Sequence, residues 1–176
     1  MDTRNLAELY ERPPIEWTYA RESLDSGFPQ GPGSGGPDRH TTWLTTINPD
    51  GTPHVTAVGA LWHDGRFWFQ AGQSSRKGRN VARDPRCAMS VSFQSMDFVA
   101  NGVARLITDP AVVAEIAGLW AAGGWPAKVD DSGVALTAPY NAQSAGPPPW
   151  HVYAIDVNSA HAVQTEEPYG ATRWQF

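Results

Sequence analysis

From His40 onward apolar and polar positions alternate with a period of two, and each alternating run stops at a turn signal. HTTWLTTIN, rich in Thr, Ile and Trp, leads into the turn sequence NPDG. PHVTAVGALW sets Val55, Ala57, Gly59 and Leu61 against His54, Thr56, Val58 and Ala60; HDG then turns the chain into RFWFQA. The three runs predict a meander of hairpins. After AGQ the period changes, and SRKGRNVAR predicts a short helix with Ser74 or Ser75 as N-cap and Asp84-Pro85 as its end. Gly78 weakens that helix by about 1 kcal/mol relative to alanine. CAMSVSF and FVANGVARLITD predict two more strands joined by a tight turn. Asp109-Pro110 opens a second helix, whose Val112, Val113, Ile116, Leu119 and Trp120 form one apolar stripe read as core. WHVYAIDV and AHAVQT close the sheet, and GATRWQF is the tail.

Three stretches fall outside this rhythm. Residues 1–25 carry Leu6, Leu9, Tyr10, Ile15 and Trp17, interrupted by Pro13-Pro14, which predicts a short helix followed by an extended arm. SGFPQGPGSGGPD formally contains G-x-G-x-x-G at Gly31, Gly33 and Gly36. A dinucleotide site needs a strand before that motif and a helix after it; here Pro and Gly precede it and a β-like run follows. It reads as a flexible loop. The segment from Ala121 to Pro149 is Gly/Pro-rich with little periodicity, the kind of long loop that is functional or disordered. The element order predicts antiparallel β with peripheral helices, a closed or split barrel spanning 40–176, preceded by an arm and loop over 1–39.

Composition narrows the chemistry. The 176 residues include 17 Gly and 15 Pro but only 18% charged residues, so turns are plentiful. Eight Trp suit core packing and also a planar aromatic ligand. Cys87 is the only cysteine, which excludes an internal disulfide and a Cys-rich zinc site. No apolar run approaches the length of a membrane span, so a soluble, cytoplasmic protein is expected. The histidines at 40, 54, 63, 151 and 161 lack metal-ligand spacing and read as surface or turn residues. There is no Gly-x-Ser-x-Gly, Ser34 lies in the flexible loop, and a Walker loop is absent. Glu166-Glu167 and Asp130-Asp131 are adjacent in sequence and read as solvated.

One segment stands apart. In a chain of formal net charge -5, Arg76, Lys77, Arg79, Arg83 and Arg86 cluster against Asp84 alone. A solvated helix face is the competing reading. The position after a strand, the hydroxyls of Ser74 and Ser75, and the free N–H groups of a first helical turn favour an anion. Arg grips phosphate with two parallel hydrogen bonds, while Lys acts as a point charge. Nucleic-acid binding is disfavoured by the net charge and by Trp placed in strands.

FWFQAGQSSRKGRNVARDPRCAMSVSF resembles the segment of pyridoxamine 5'-phosphate oxidase-like split barrels in which a strand leads to S-R-K, a helix, N/D-P-R and a strand. TTINPDGTPHVTAV is similar to their T-T-x-x-x-D-G-x-P-H-V hairpin, and ATRWQF resembles the A-T-R-W-x-F terminus of members related to F420-dependent reductases. The resemblance implies a six-stranded antiparallel split β-barrel and a homodimer with two cofactor sites at the interface. It assigns the cofactor phosphate to Arg76 and Lys77, supported by Ser75 and Asn80. The backbone of Val55, Thr56, Ala57, Val58 and Gly59 would run beside the ring system, and Arg173 and Trp174 would approach the site across the dimer. HVTAVGALW lacks the family's R-x-x-x-x-K cations and the tail lacks R-x-H, so oxidation of vitamin B6 is not expected. Between FMN and F420, the longer acidic tail of F420 matches Arg79, Arg83 and Arg86, and F420 is preferred. The expected activity is hydride transfer from reduced F420 to an electron-poor C=C or C=N of a hydrophobic small molecule. An FMN-dependent oxidoreductase and a non-catalytic carrier of flavin, deazaflavin or haem are the alternatives. Tyr140 and solvent are the candidate proton donors. Trp125, Tyr140 and Trp150 would cover an aromatic substrate, plain packing being the equal reading.

Overall fold

The predicted meander closes on itself. In the computed structural model, which describes residues 1–28 and 41–176, β2 (Thr42–Ile47) pairs antiparallel with β3 (Pro53–Val58). At Gly59 the chain leaves that ladder and continues as β4 (Ala60–His63), whose partner is β5 (Arg66–Ala71). From β5 the ring runs through β10 (His151–Gln164), β7 (Met96–Ile107) and β6 (Arg86–Ser92) back to β2. With β3 and β4 counted as one bent strand, six antiparallel strands form the split barrel that was expected. The Gly31-Gly33-Gly36 motif, Ser34 and His40 lie outside the described residues.

Period-two alternation decides which side chains fill the barrel. Leu44, Phe67, Phe69, Met89, Phe98, Tyr153 and Ile155 point inward and are buried, with Phe69 stacked on Tyr153 at 5.1 Å. Trp68, Val152 and Ala154, on the alternate positions of β5 and β10, face a second core beneath α3 (Pro110–Ala122). The Asp109 carboxylate caps α3 by accepting the Ala111 N–H at 2.9 Å. Val113, Ile116 and Trp120 carry its buried stripe. The expected long loop is largely built into this layer: β8 (Lys128–Val129) and β9 (Leu136–Thr137) form a small hairpin. Trp125 packs against both Trp120 and Trp150, at 5.8 and 6.0 Å between ring centroids.

Two elements differ from the sequence expectation. WHVYAIDV and AHAVQT are one strand, β10, interrupted by a bulge between Val157 and Ser159 that shifts its register. Before the bulge β10 lies between β5 and β7; after it, β11 (Ala171–Gln175) replaces β5. The tail is therefore a strand, and β1 (Asp2–Asn5) pairs with it. The N-terminal order is also reversed. After β1 and a 3-10 turn at Glu8–Tyr10, the helix α1 (Trp17–Asp25) follows the two prolines. The Ile15 N–H donates to Thr172 Oγ1 at 2.6 Å, and Trp17 packs on Trp174, Phe98 and Phe176. Ala20 and Leu24 of α1 close one end of the barrel, and α2 (Arg76–Arg83) closes the other through Val81. Among the described residues no helix is long and apolar enough to cross a membrane.

Candidate cofactor site

The position of α2 is fixed from three sides. Ser75, the N-cap, accepts the Gly78 N–H on its Oγ at 3.1 Å, and its own N–H donates to Gly72 O at 3.0 Å. Asn80 is only 3% exposed; its Nδ2 donates to Thr46 Oγ1 at 3.0 Å and to Asn48 Oδ1 at 3.2 Å, tying the helix to the end of β2. Gly78 lets the helix lie directly on the segment leaving β5: a Cβ there would stand 2.4 Å from Gly72 O and 2.9 Å from Gln73 O. The glycine that weakens the helix by propensity is what permits its docking.

The five clustered cations are not equivalent. Arg86 holds Asp84 with two charge-assisted hydrogen bonds of 2.9 and 2.7 Å, and these bonds bring the Asp84 carboxyl down to about 2. The Arg83 guanidinium donates to Ile47 O, and that of Arg79 to Ser74 O. The side chains of Arg76 and Lys77 make no hydrogen bond or ion pair among the described residues. Their backbone N–H groups begin the helix and have no intrahelical acceptor. Lys77 is half-buried, and the loss of water lowers its pKa. Two cations and two amide donors thus sit at one helix start, and neither cation is in an ion pair among the described residues.

β3 faces this helix start. His54 lies opposite Thr46 in the β2–β3 ladder, so its side chain shares the face on which Thr46 meets Asn80. Burial lowers the His54 pKa, and the charges of Arg76 and Lys77 lower it further. Asp50, in the turn between β2 and β3, is lowered mainly by hydrogen bonds from Thr52, with a smaller pull from Arg76. The far edge of β3 from Val55 to Gly59 has no strand partner among the described residues. An anion cradle and the start of an unpaired strand edge therefore lie near each other. His54 stands between them and was read from sequence as a surface or turn residue. The signal for it was the hairpin register, which only the paired strands reveal.

Several expected site residues have other duties. Asn80 is committed to the β2 end and has no donor left over for a phosphate in the geometry observed. Trp174 is fully buried and packs against Trp17, so it offers no surface to a ligand. Arg173 lies on β11, which flanks the half of β10 away from α2. The Tyr140 hydroxyl donates to Gly124 O at 3.3 Å, and its carbonyl accepts the Trp125 Nε1–H at 2.7 Å. That clasp closes the loop on itself. Ser75, Arg76 and Lys77 stand together at the start of α2, and Val55, Thr56, Ala57, Val58 and Gly59 lead away from His54, which feels the charges of Arg76 and Lys77. Cys87 is buried beneath, its thiol pushed up to about 12, and is chemically quiet. No group of three metal-ligating side chains occurs among the described residues.

Residues 37–164 match the profile of the pyridoxamine 5'-phosphate oxidase family. Comparison with curated proteins finds no match. Among solved structures, General Stress Protein 26 of Bacillus anthracis is similar with a TM-score of 0.54 at 12% identity, over 90% of this chain and 99% of that one. A protein related to general stress protein 26 from Clostridium acetobutylicum gives 0.57 at 14% identity, over 92% and 97%. A pyridoxamine 5'-phosphate oxidase-related, FMN-binding protein of Nostoc punctiforme gives 0.54 at 16% identity, over 77% and 80%. At these identities the likeness establishes the fold. Since the profile spans most of the sequence and the barrel closes as its relatives' do, the chain belongs to the pyridoxamine 5'-phosphate oxidase family.

Proposed function

We propose that the chain is an F420-dependent reductase acting on an electron-poor C=C or C=N of a hydrophobic small molecule. The observation that carries the reading is the pair Arg76 and Lys77, left without partners at a helix start while the cations around them are engaged. The residues fit a cofactor phosphate. Arg76 and Lys77 would hold it, the guanidinium as a fork and the ammonium as a point charge, and the Ser75 hydroxyl could donate because only its oxygen is used by Gly78. When bound, the deazaflavin supplies the hydride. The open edge of β3 orients the ring system through its backbone, and the apolar barrel interior behind it keeps water out. With the Tyr140 hydroxyl spent on Gly124, the proton comes from solvent.

A second copy of the chain completes the site in this reading. The outward face of the sheet carries Val55 and Ala57 on β3, Trp43 on β2 and Val99 on β7, with Trp43 47% and Val55 54% exposed. An exposed apolar patch beside the cofactor site suits a homodimer with a site at each end of the interface.

FMN is the second reading. Arg79, Arg83 and Arg86 were the expected contacts for the F420 tail, and each is tied to the protein itself. Two free cations match a terminal phosphomonoester, and the Nostoc punctiforme relative is described as FMN-binding. Separate titrations with F420 and FMN, followed by absorbance and fluorescence, test the proposal. Arg76→Ala with Lys77→Ala should weaken binding on the order of 100-fold or more, at about 1.5–3 kcal/mol per charged hydrogen bond. Unchanged affinity removes the phosphate assignment. Tight FMN binding without F420 binding moves the function to the second reading. F420 binding with no reduction of enones, quinones or tetrapyrroles makes the chain a carrier.

A further inference from the structure

A second set of basic residues lies on the half of the sheet away from α2. In the ladders joining β10, β11 and β1, His161 stands opposite Arg173, and Arg173 stands opposite Arg4. One row across three neighbouring strands is therefore basic. Like charges directly opposite on adjacent strands are destabilising. Five other arginines, Arg12, Arg21, Arg66, Arg86 and Arg105, have carboxylate partners, and Arg79 and Arg83 donate to carbonyls; only the cradle's Arg76 is left, like Arg4, without a side-chain partner among the described residues. The Arg4 side chain has no hydrogen bond or ion pair among the described residues, and that of Arg173 only donates to Gln175 Oε1 at 3.3 Å. Asp2, opposite Gln175, is not paired with either guanidinium.

The same residues line a cleft. Asp2, Arg4, Arg173 and Gln175 surround a volume of about 190 Å³. Small-molecule sites run to roughly 300–1,000 Å³. The cleft is too small for a flavin-sized molecule and large enough for one oxyanionic group with its water. Its lining offers two guanidinium forks against one carboxylate, and the Gln175 amide Nε2 is already spent on Asn158 O at 2.8 Å. We infer that Arg4 and Arg173 form a second anion site, separate from the α2 cradle, which takes a single oxyanion of the phosphate or carboxylate type. Such an anion converts a repulsive cross-strand pair into a bridged one, and thereby ties β1 to the barrel. The site does not depend on which cofactor the α2 cradle holds.

The test uses the full chain carrying Arg76→Ala and Lys77→Ala, which silences the first anion site. Inorganic phosphate, and separately glutarate, are titrated at constant ionic strength while amide and arginine Nε–H resonances are followed. Saturable shifts centred on Arg4, Arg173 and Gln175 are expected. Adding Arg4→Gln and Arg173→Gln should abolish them while the melting temperature of the anion-free protein stays level or rises, because the repulsion is relieved. Saturation by phosphate alone or glutarate alone identifies the anion class. Shifts that grow linearly and match those in sodium chloride overturn the inference, as do shifts that survive the two glutamine substitutions. If the substitutions change the oligomeric state by light scattering and phosphate does not bind, the row is a contact between copies, and the inference fails.

Discussion

Replacing Gly78 with alanine sets two physical effects against each other. In a helix interior alanine is favoured over glycine by about 1 kcal/mol, so propensity alone forecasts a more stable protein. The added Cβ, however, would meet Gly72 O at 2.4 Å, Gln73 O at 2.9 Å and Gln73 Cα at 3.0 Å. Ordinary contacts between heavy atoms lie near about 3.5 Å, so α2 and the segment at 72–73 must part by roughly 1 Å. All three obstacles are backbone, and no rotamer relieves them. Overpacking of this kind costs about 1–3 kcal/mol. Parting also strains the Ser75 N–H bond to Gly72 and the two Asn80 bonds to β2, each worth about 1 kcal/mol net. The clash outweighs the propensity gain, and the net loss is about 1–3 kcal/mol. For a domain of this size that lowers the melting temperature by about 2–10 °C. Because Arg76 and Lys77 ride on the same helix turn, cofactor affinity should fall along with stability. A thermal melt and a cofactor titration on one preparation measure both. A melting temperature equal to or above that of the parent would refute the account of how α2 is docked.

Two further outcomes follow from the same neighbourhood. His54 has a folded-state pKa below its unfolded one, so as pH falls through about 6.5 the unfolded chain takes up the proton first. The stability it contributes is present at neutral pH and lost on acidification. In urea melts at pH 7.5 and 5.5, His54→Gln should shrink the difference, and removing the charges at Arg76 and Lys77 should raise the His54 pKa seen by NMR. Tyr140→Phe should leave the pH profile and rate of any hydride-transfer reaction unchanged, since that hydroxyl is spent on Gly124. A large fall in turnover at constant Michaelis constant would restore Tyr140 as the proton donor.

How far the sequence led can be judged element by element. β2, the β3–β4 run, β5, β6, β7, α2 and α3 were legible because their periods were clean and their ends carried NPDG, HDG, Asp84-Pro85 or Asp109-Pro110; the change of partner at Gly59 within that run was not. β10 was not legible as one strand: its bulge shifts the alternation, and a shifted period reads as a break. β1, with the sequence DTRN, has no apolar alternation at all; it is held by the ladder to β11, and main-chain pairing leaves no mark on sequence. The loop after α3 looked irregular because its order comes from Trp120, Trp125 and Trp150 packing together rather than from a repeat. In the site, the cluster of cations was visible, but not which of them were free. That depends on carbonyls such as Ile47 O, far along the chain from Arg83, and on a glycine whose role is a close approach rather than flexibility.

The two-partner arrangement of β10 grades the molecule's rigidity. On either side of its bulge β10 is hydrogen-bonded on both edges, to β7 on one side and to β5, then β11, on the other. Its doubly flanked amides should exchange with solvent deuterium only when the barrel as a whole comes apart. β3 has one ladder and one bare edge, so alternate amides along it lack any such protection. The slowest-exchanging spine of the protein and its most permissive border thus belong to the same ring. A ligand seated along β3 would stiffen the border and leave the spine as it was.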